Sequence, residues 1–296
     1  MEAKRGGIYL AENRSWAKQT VAHNTLVVDE QSHFQGDWKR GEAHAPQVRF
    51  FQADADTQVA SASMRDAYPG VAFTRTQALL RHPDLGLPVV LDLLQVHGEK
   101  AARYDLPLHF NGHIVTTGFE AAHFPAQRPV LGKDNGYQHL WLDARSAPGS
   151  EPRSLAWLLD GRFYTYRFGS SAPAQALLVE SGANDPEFNL RREPALLQRV
   201  DGQKDVTFFS VLEPHGEYNG TAEYVHGADS RIKAIVRGRG SDAEVIELRL
   251  ASGARIALGV ADDSSAQGEH SVTIDGHAYR WSGSHARMDR SKGDGE

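Results

Sequence analysis

The sequence predicts an all-β protein built from stacked antiparallel sheets, and three observations support this. Short β-branched and aromatic stretches with a period of two recur along the chain, bounded by Gly, Pro, Asn, Asp or Ser. Helical spacing with caps is nearly absent, and the only short helix candidate, "EPALLQRV", fits a strand equally well. Two stretches, "PVVLDLL" and "SLAWLL", are apolar on both faces, which indicates a layer covered on two sides. We therefore expect a multilayered antiparallel β-sandwich.

The candidate strands run through the whole chain. In order they are "HNTLVVD", "QVRFFQADA", "TQVASASM", "VAFTRTQALL", "PVVLDLLQV", "SLAWLLD", "FYTYRF", "QALLVES", "DVTFFSVLE", "IKAIVRG", "EVIELRLA" and "HSVTIDG". The closing segment "GSHARMDRSKGDGE" is polar. We therefore predict one β-domain over residues 1–285 and a disordered tail over residues 286–296.

Composition limits the partners and the chemistry. The 296 residues carry a net charge of −6, so no nucleic acid or anionic membrane is expected as a partner. No apolar run of about 18 residues predicts a transmembrane helix, and the first residues lack the pattern of a signal peptide. Cysteine is absent, so any metal must be held by His, Asp or Glu.

Three segments combine residue types that carry chemistry. "GYQHLWLDA" places Tyr137, His139 and Trp141 on alternate positions, which predicts one strand face that is either core packing or an aromatic platform for a sugar ring. The long polar loop "ESGANDPEFNLRRE" contains Arg191 and has either a structural or a functional role. "SVLEPHGEYNG" brings Glu213 and His215 just after a strand, where titratable groups could converge on a pocket.

Segments spread over nearly the whole chain resemble, in order, the C-terminal half of the heparinase II/III-like polysaccharide lyases, and most closely the oligoalginate lyases of polysaccharide lyase family 17. They are "EAKRGGIYLAENRSWAKQTVAHNTLVVDEQSHF", "AYPGVAFTRTQALL", "YDLPLHFNGH", "GYQHLWLDA", "GANDPEFNLRREPALLQR" and "FFSVLEPHGEYN". The resemblance implies the C-terminal β-sandwich of a two-part lyase, whose other part is an N-terminal α/α-toroid. The resemblance begins inside the β-part, so the toroid is expected as a missing partner half.

The resemblance also implies site residues. Tyr9 matches the active-site tyrosine of the β-part, and His23, fourteen positions further on, matches the last ligand of a structural zinc. The H-x-H motif and the aspartate that complete the zinc site in the family would precede Tyr9. One ligand of three is too few for tight binding, so we expect His23 to hold zinc only when the others are supplied. His33, in "EQSHF", is a fallback ligand.

The implied reaction is β-elimination of a 1,4-linked uronate polysaccharide or oligosaccharide such as alginate, which leaves an unsaturated uronate. Arg191, Glu213 and His215 are candidate contacts to the substrate, assigned by loop position. The base belongs to the toroid in the family, so this chain alone is expected to be weak or inactive.

Two alternatives remain: a non-catalytic carbohydrate-binding or structural β-module, and part of a glycosaminoglycan (heparan sulfate) lyase. The second ranks below alginate because a sulfated substrate favours more basic residues than a net charge of −6 suggests. Family members imply a periplasmic or secreted location.

Overall fold

The computed structural model describes residues 4–5, 8–9, 16–181, 192–265 and 267–291, with the backbone alone for 4–5 and 8–9. About three fifths of the protein lies in antiparallel strands and little of it in helices, which confirms the predicted all-β fold. The strands are β1 (Lys4–Arg5), β2 (Ile8–Tyr9), β3 (Val27–Val28), β4 (Gln47–Ala53), β5 (Thr57–Tyr68), β6 (Val71–Leu80), β7 (Val89–His109), β8 (His113–Thr117), β9 (Ala122–His123), β10 (Leu140–Arg145), β11 (Arg153–Leu159), β12 (Arg162–Ser170), β13 (Gln175–Ser181), β14 (Glu193–His215), β15 (Glu217–Asn219), β16 (Tyr224–His226), β17 (Ile232–Arg239), β18 (Ala243–Leu250), β19 (Arg255–Ala261), β20 (Glu269–Ile274), β21 (His277–Ser282) and β22 (His285–Arg290).

A twelve-stranded sheet forms the centre of the fold. Its main path runs β4-β5-β6-β7-β14-β12-β11-β8, and β3, β9, β10 and β13 pair beside it. Strands β7 and β14, of 21 and 23 residues, are antiparallel neighbours along most of their length. The segment "EPALLQRV" begins β14, so it is a strand and not a helix.

Both faces of this sheet are covered, as the apolar stretches predict. Neighbouring residues of a strand point to opposite faces. Phe209 packs with Leu91 and Leu93 against the sheet β17-β18-β19-β22. Phe208 packs on the other face with Leu94 and with residues 26–34. The large sheet therefore separates the early segment of the chain from the C-terminal sheet.

The four-stranded sheet is covered on its outer face by the β20–β21 hairpin. Val245 and Ala257 pack there against Tyr279 and Trp281. The predicted tail begins too early, because β22 pairs with β19 and Met288 packs against the same cluster. The folded domain therefore reaches at least Arg290, since the edge of the sheet supplies backbone partners that a polar sequence can use; residues 292–296 lie outside the described part of the chain.

Short helical elements interrupt the strands, among them 3-10 helices at Thr20–Ala22 and His33–Gly36. Helix α1 (Trp38–Glu42) begins after Asp37, whose carboxylate accepts hydrogen bonds from the amides of residues 39 and 40. A 3-10 helix spans Tyr137–His139, so the prediction that Tyr137, His139 and Trp141 alternate on one strand is wrong.

The residues before this 3-10 helix explain the difference. Asn135 and Gly136 both have left-handed backbone angles, with φ of 56° and 94°, and they turn the chain before β10 begins. A Cβ at Gly136 would lie 2.7 Å from Val21 Cγ1. Glycine is therefore required here both for its conformation and for close packing.

Candidate functional site

The segment that carries His23, residues 21–33, is fixed to the central sheet by hydrogen bonds on both sides of that residue. His109 Nε2 donates to the Val21 carbonyl over 2.7 Å, and the His109 amide donates to Asn24 Oδ1 over 2.7 Å. Arg75 donates to the Asn24 carbonyl, and His33 Nε2 donates to the Leu26 carbonyl over 3.0 Å. The exposed His23 is thus presented on a well-anchored backbone.

Two partly buried histidines lie near His23: His33 in the same segment and His109 at the end of β7. Burial lowers the pKa of His33 and His109, and the nearby His23 lowers both pKa values further, while the bonds to backbone carbonyls act in the opposite direction. Burial therefore favours neutral rings at His33 and His109.

The zinc prediction can be compared with this geometry. His23 Nε2 lies 3.0 Å from the Ala17 carbonyl, the kind of bond that orients a metal-binding imidazole through its other nitrogen. Within the described ranges, however, no group of three or more His, Asp or Glu side chains is arranged to hold a metal ion. The described residues alone do not form a zinc site, and the assignment of His23 stays a prediction.

A buried ionic network contacts this segment through Glu30. Arg199 donates two hydrogen bonds of 2.7 Å to the Asp105 carboxylate, and Tyr137 donates a third of 2.6 Å. Arg199 also reaches Glu30 over 3.0 Å, and Arg103 reaches the same carboxylate over 2.8 Å. The side chains of Asp105 and Arg199 are 1% and 9% exposed, so they form one desolvated pair.

Burial and the contacts within the network keep Tyr137 neutral and Arg199 charged. Burial raises the pKa of Tyr137 well above its ordinary value, and the Asp105 carboxylate adds to this effect. Burial alone would lower the pKa of Arg199, but its bonds to Asp105 outweigh burial and raise it. Tyr137 is therefore a neutral hydrogen-bond donor in the core; it is not a phenolate, and it is too buried to serve as a platform for a sugar ring.

A polar cleft of about 860 Å³ opens beside the turn that follows β3. Its lining includes Ser32, Arg40, Arg65, Asp66 and Tyr68. Four non-glycine residues of the adjoining turns have left-handed φ values between 49° and 59°: Asp29, Glu30, Phe34 and Gln35. Such conformations cost about 1–3 kcal/mol each and tend to cluster at functional sites.

The structure describes only some of the residues predicted to form the site. Tyr9 pairs through its backbone with Lys4 in the β1–β2 ladder, and its side chain lies outside the described atoms. Arg191 lies outside the described residues. The catalytic assignment of Tyr9 and the binding assignment of Arg191 stay predictions.

Glu213 and His215 are buried and have internal partners. Glu213 accepts hydrogen bonds from Ser230 Oγ and from the amides of Arg231 and Ile232, the last two over 2.8 and 3.2 Å. His215 contacts Thr165 Oγ1 over 2.8 Å and the Gly227 carbonyl over 3.0 Å. Both side chains thus hold the chain between β16 and β17, and their contact to substrate stays a prediction.

The sequence reading missed the buried network. Arg199 follows Ala195 and Leu197 at a spacing of two, so the strand pattern assigns it to the interior. Asp105 alternates with Tyr104 and Leu106, so the same pattern assigns it to the opposite face. A charge at the position of Arg199 signals a buried partner, since an unpaired charge there is too costly. The strand pattern alone cannot identify that partner, which lies 94 residues away in the chain.

Comparisons with known proteins agree with this architecture. Residues 3–256 match the family of heparinase II/III-like C-terminal domains. The chain is 93% identical over all 296 residues to an alginate lyase of Stenotrophomonas maltophilia strain K279a, and 43% identical over 288 residues to an exo-oligoalginate lyase of Saccharophagus degradans. It spans 40% and 39% of the length of these two relatives.

Two solved structures share the fold. A heparinase III superposes with a TM-score of 0.55 at 11% identity, over 88% of this chain and 33% of that one. A heparan sulfate lyase mutant from Pedobacter heparinus gives 0.54 at 12% identity, over 89% of this chain and 34% of that one. At these low identities, the two structures show that the fold is shared.

The layered antiparallel sheets define a β-sandwich, and the sequence matches place this domain in a polysaccharide lyase family. The chain belongs to the heparinase II/III-like C-terminal family, which confirms the resemblance seen in its sequence. Among the described residues, no helix has the length and apolar character needed to span a membrane.

Proposed function

We propose that this chain is the β-sandwich part of a lyase that cleaves alginate oligosaccharides by β-elimination. The observation that carries the proposal is the 93% identity, over the whole chain, to an alginate lyase that is about two and a half times as long. The 43% identity to an exo-oligoalginate lyase supports the same substrate class. A periplasmic or secreted location is part of the proposal, because the substrate is an extracellular polysaccharide.

The chemistry sets the requirements of the site. The C5 proton of a uronate is weakly acidic while the neighbouring carboxylate is ionised, because its removal adds a second negative charge nearby. Hydrogen-bond donors must neutralise the carboxylate, a base must take the C5 proton, and an acid must protonate the leaving O4. A tyrosine can perform both transfers if nearby donors or cations lower its pKa from about 10.

In the proposal these roles are divided between two parts of the enzyme. Tyr9 assists at the reacting sugar and Arg191 contributes to the wall that binds the chain of uronates. Glu213 and His215, which are buried, support that wall by holding the chain before β17. The base and the donors that neutralise the carboxylate come from a preceding toroid. The polar cleft beside the segment that carries His23 is lined by Arg40 and Arg65 together with Asp29 and Asp66, so it offers hydrogen-bonding groups for a sugar on this side of the large sheet.

Zinc has a structural role in the proposal. His23 contributes one ligand, and the H-x-H motif and the aspartate that complete the site come from the part of the enzyme that precedes Tyr9. The described residues do not by themselves complete its coordination.

An ultraviolet assay for the new C4=C5 double bond tests the proposal. Oligomannuronate is incubated with this chain, and separately with a protein of the length of the Stenotrophomonas relative that contains it. We expect turnover by the long protein and a rate at least about a hundredfold lower for this chain, because the general base alone contributes about 10²–10⁴.

Variants of the long protein test the role of Tyr9. Tyr9→Phe should lower kcat strongly, whereas Tyr218→Phe, at an exposed tyrosine of β15, should leave it unchanged. Equal rates for both variants would remove Tyr9 from the reaction. Absence of a double bond with the long protein, together with binding of the oligosaccharide, would favour the non-catalytic binding module.

A further inference from the structure

A second cleft lies on the other side of the large sheet. It has a volume of about 510 Å³ and is bounded by the chain around residues 150–153, by the ends of β12 and by β17. Phe209 and Ile235 form part of its apolar lining, and both belong to the core between the large sheet and the four-stranded sheet. Its size is that of an ordinary small-molecule site.

The cleft opens on the face opposite to the segment that carries His23. Phe209 lines the cleft, whereas the side chain of the neighbouring Phe208 lies on the other face of the sheet, in the core that contains Leu26 and Val28. Adjacent residues of a strand face opposite ways, so the thickness of the sheet lies between the two regions. A ligand in this cleft would therefore lie on the opposite face of the sheet from His23.

The charge of the cleft is unusual for a protein with a net charge of −6. Its lining contains four basic residues and one carboxylate, that of the exposed Glu151. Arg237 is neutralised by the Glu244 carboxylate at 2.5 Å. Among the described residues, no carboxylate forms an ion pair with Arg167 or Lys233.

Arg167 is held in place and leaves donors available. Its Nε atom donates to the Ile232 carbonyl over 2.6 Å, which fixes the half-buried guanidinium at the mouth of the cleft. Its two Nη atoms have no hydrogen-bond partner among the described residues. Burial lowers the pKa of Arg167, an effect that exceeds the opposing influence of Glu213, so the cation lacks full compensation.

Hydroxyl groups complete the lining. Ser170 donates to the Ala172 carbonyl, and Ser171 Oγ accepts a hydrogen bond of 2.9 Å from the Thr207 amide, which leaves its own hydrogen for a ligand. The cleft therefore combines an apolar floor of largely buried side chains, a hydroxyl donor, and two cations, Arg167 and the exposed Lys233, that lack an ion-pair partner among the described residues. A simple inorganic anion would use only the cations, whereas a sugar acid presents apolar C–H groups, hydroxyls and a carboxylate together.

We propose that this cleft is a second saccharide site that binds an oligouronate through its carboxylates, with Arg167 and Lys233 as the cationic contacts and Phe209 and Ile235 as the apolar floor. The choice of uronate rests on the proposed function. The site holds the oligosaccharide at a distance from the predicted reacting region, so it contributes to substrate retention and takes no part in bond cleavage.

Titration of this chain with trimannuronate, followed by amide NMR, tests the site. We expect saturable shift changes at residues 167–171 and 233–237. Arg167→Gln/Lys233→Gln should raise Kd at least tenfold, and Lys233→Gln alone, an exposed change that cannot prevent folding, should raise it severalfold. The matched control Arg280→Gln/Lys100→Gln removes two exposed cations elsewhere and should leave Kd unchanged.

Further ligands distinguish the possible outcomes. Neutral mannotriose should produce no comparable shifts, and inorganic phosphate should bind at least tenfold more weakly than the uronate. Equal affinity for phosphate, or an unchanged Kd in the Arg167→Gln/Lys233→Gln variant, would overturn the proposal. Trigalacturonate separates the two proposals: binding that depends on Arg167, without lyase activity of the long protein on alginate, would retain the site and reject the alginate function.

Discussion

The ionic network behind the His23 segment makes a quantitative prediction. Replacing Arg199 by methionine keeps most of the aliphatic stem but removes three charge-assisted hydrogen bonds, two to Asp105 and one to Glu30. Asp105 would then be a buried carboxylate with the Tyr137 hydroxyl as its remaining side-chain partner among the described residues. Breaking a buried pair in this way costs about 3–5 kcal/mol, because the remaining charge loses its compensation without regaining water.

Urea unfolding followed by tryptophan fluorescence measures this cost. The matched control is Arg192→Met, which breaks an ion pair to Glu180 on a side chain that is 52% exposed and should cost at most about 1 kcal/mol. A double-mutant cycle adds Asp105→Asn: once the carboxylate charge is gone, Arg199→Met should cost at least about 1 kcal/mol less.

The same variants report on the segment in front of the network. Glu30 loses one of its two arginine partners in Arg199→Met, so amide exchange over residues 26–31 should accelerate relative to the Arg192→Met control. A cost for Arg199→Met below about 1 kcal/mol, or the same cost with and without Asp105→Asn, would refute the view that the pair stabilises the fold as a desolvated unit.

Three further predictions concern pH, backbone geometry and loop anchoring. Burial lowers the pKa of His33, so the contribution of the neutral ring to stability is complete above about pH 6.5 and is lost as the pH falls below that value. His33→Gln should therefore reduce the fall in unfolding free energy between pH 6.5 and 5, by at most about 1.4 kcal/mol per pH unit. An unchanged dependence of the unfolding free energy on pH, measured in urea titrations, would contradict this. Gly136→Ala should lower stability by more than Gly202→Ala, since both have positive φ but the space at Gly202 is open; equal thermal midpoints would show that the contact with Val21 is unimportant. Glu213→Gln should cost about 1–3 kcal/mol and speed amide exchange at residues 230–232, because it replaces an acceptor oxygen by a donor facing backbone amides; protection as in the parent protein would disprove the anchoring role.

The sequence predicts the layers better than it predicts the site. In β7, Leu91 and Leu93 alternate with Asp92 and are followed by Leu94, and this run correctly indicates a sheet covered on both faces. Local alternation is sufficient for this because a strand has a period of two. The same rule fails at Tyr137, where the preceding "NG" is a turn signal that delays the strand until Leu140.

The contacts that shape the site are long-range. Arg199 and Asp105 are 94 residues apart, and Arg75 reaches Asn24 across 51 residues. Local pattern can show that Arg199 occupies an inward position, but the identity of its partner depends on which strands are neighbours. The strand β22 shows the same limit, since its polar sequence pairs only because the edge of β19 is present.

Glu213 links β14 to the start of β17 on one face of the large sheet. It follows Phe209 by four residues on a regular stretch of β14, so it shares the face of the second cleft and not that of the His23 segment. Its carboxylate fixes the amide of Ile232, and the carbonyl of the same residue holds Arg167. Glu213 therefore acts on a saccharide in this cleft as a positioning residue. In Glu213→Gln, trimannuronate binding at residues 233–237 should weaken, and Lys233→Gln should then add its usual severalfold effect, because Lys233 does not depend on that carboxylate. Unchanged binding in Glu213→Gln would separate the loop anchor from the saccharide site.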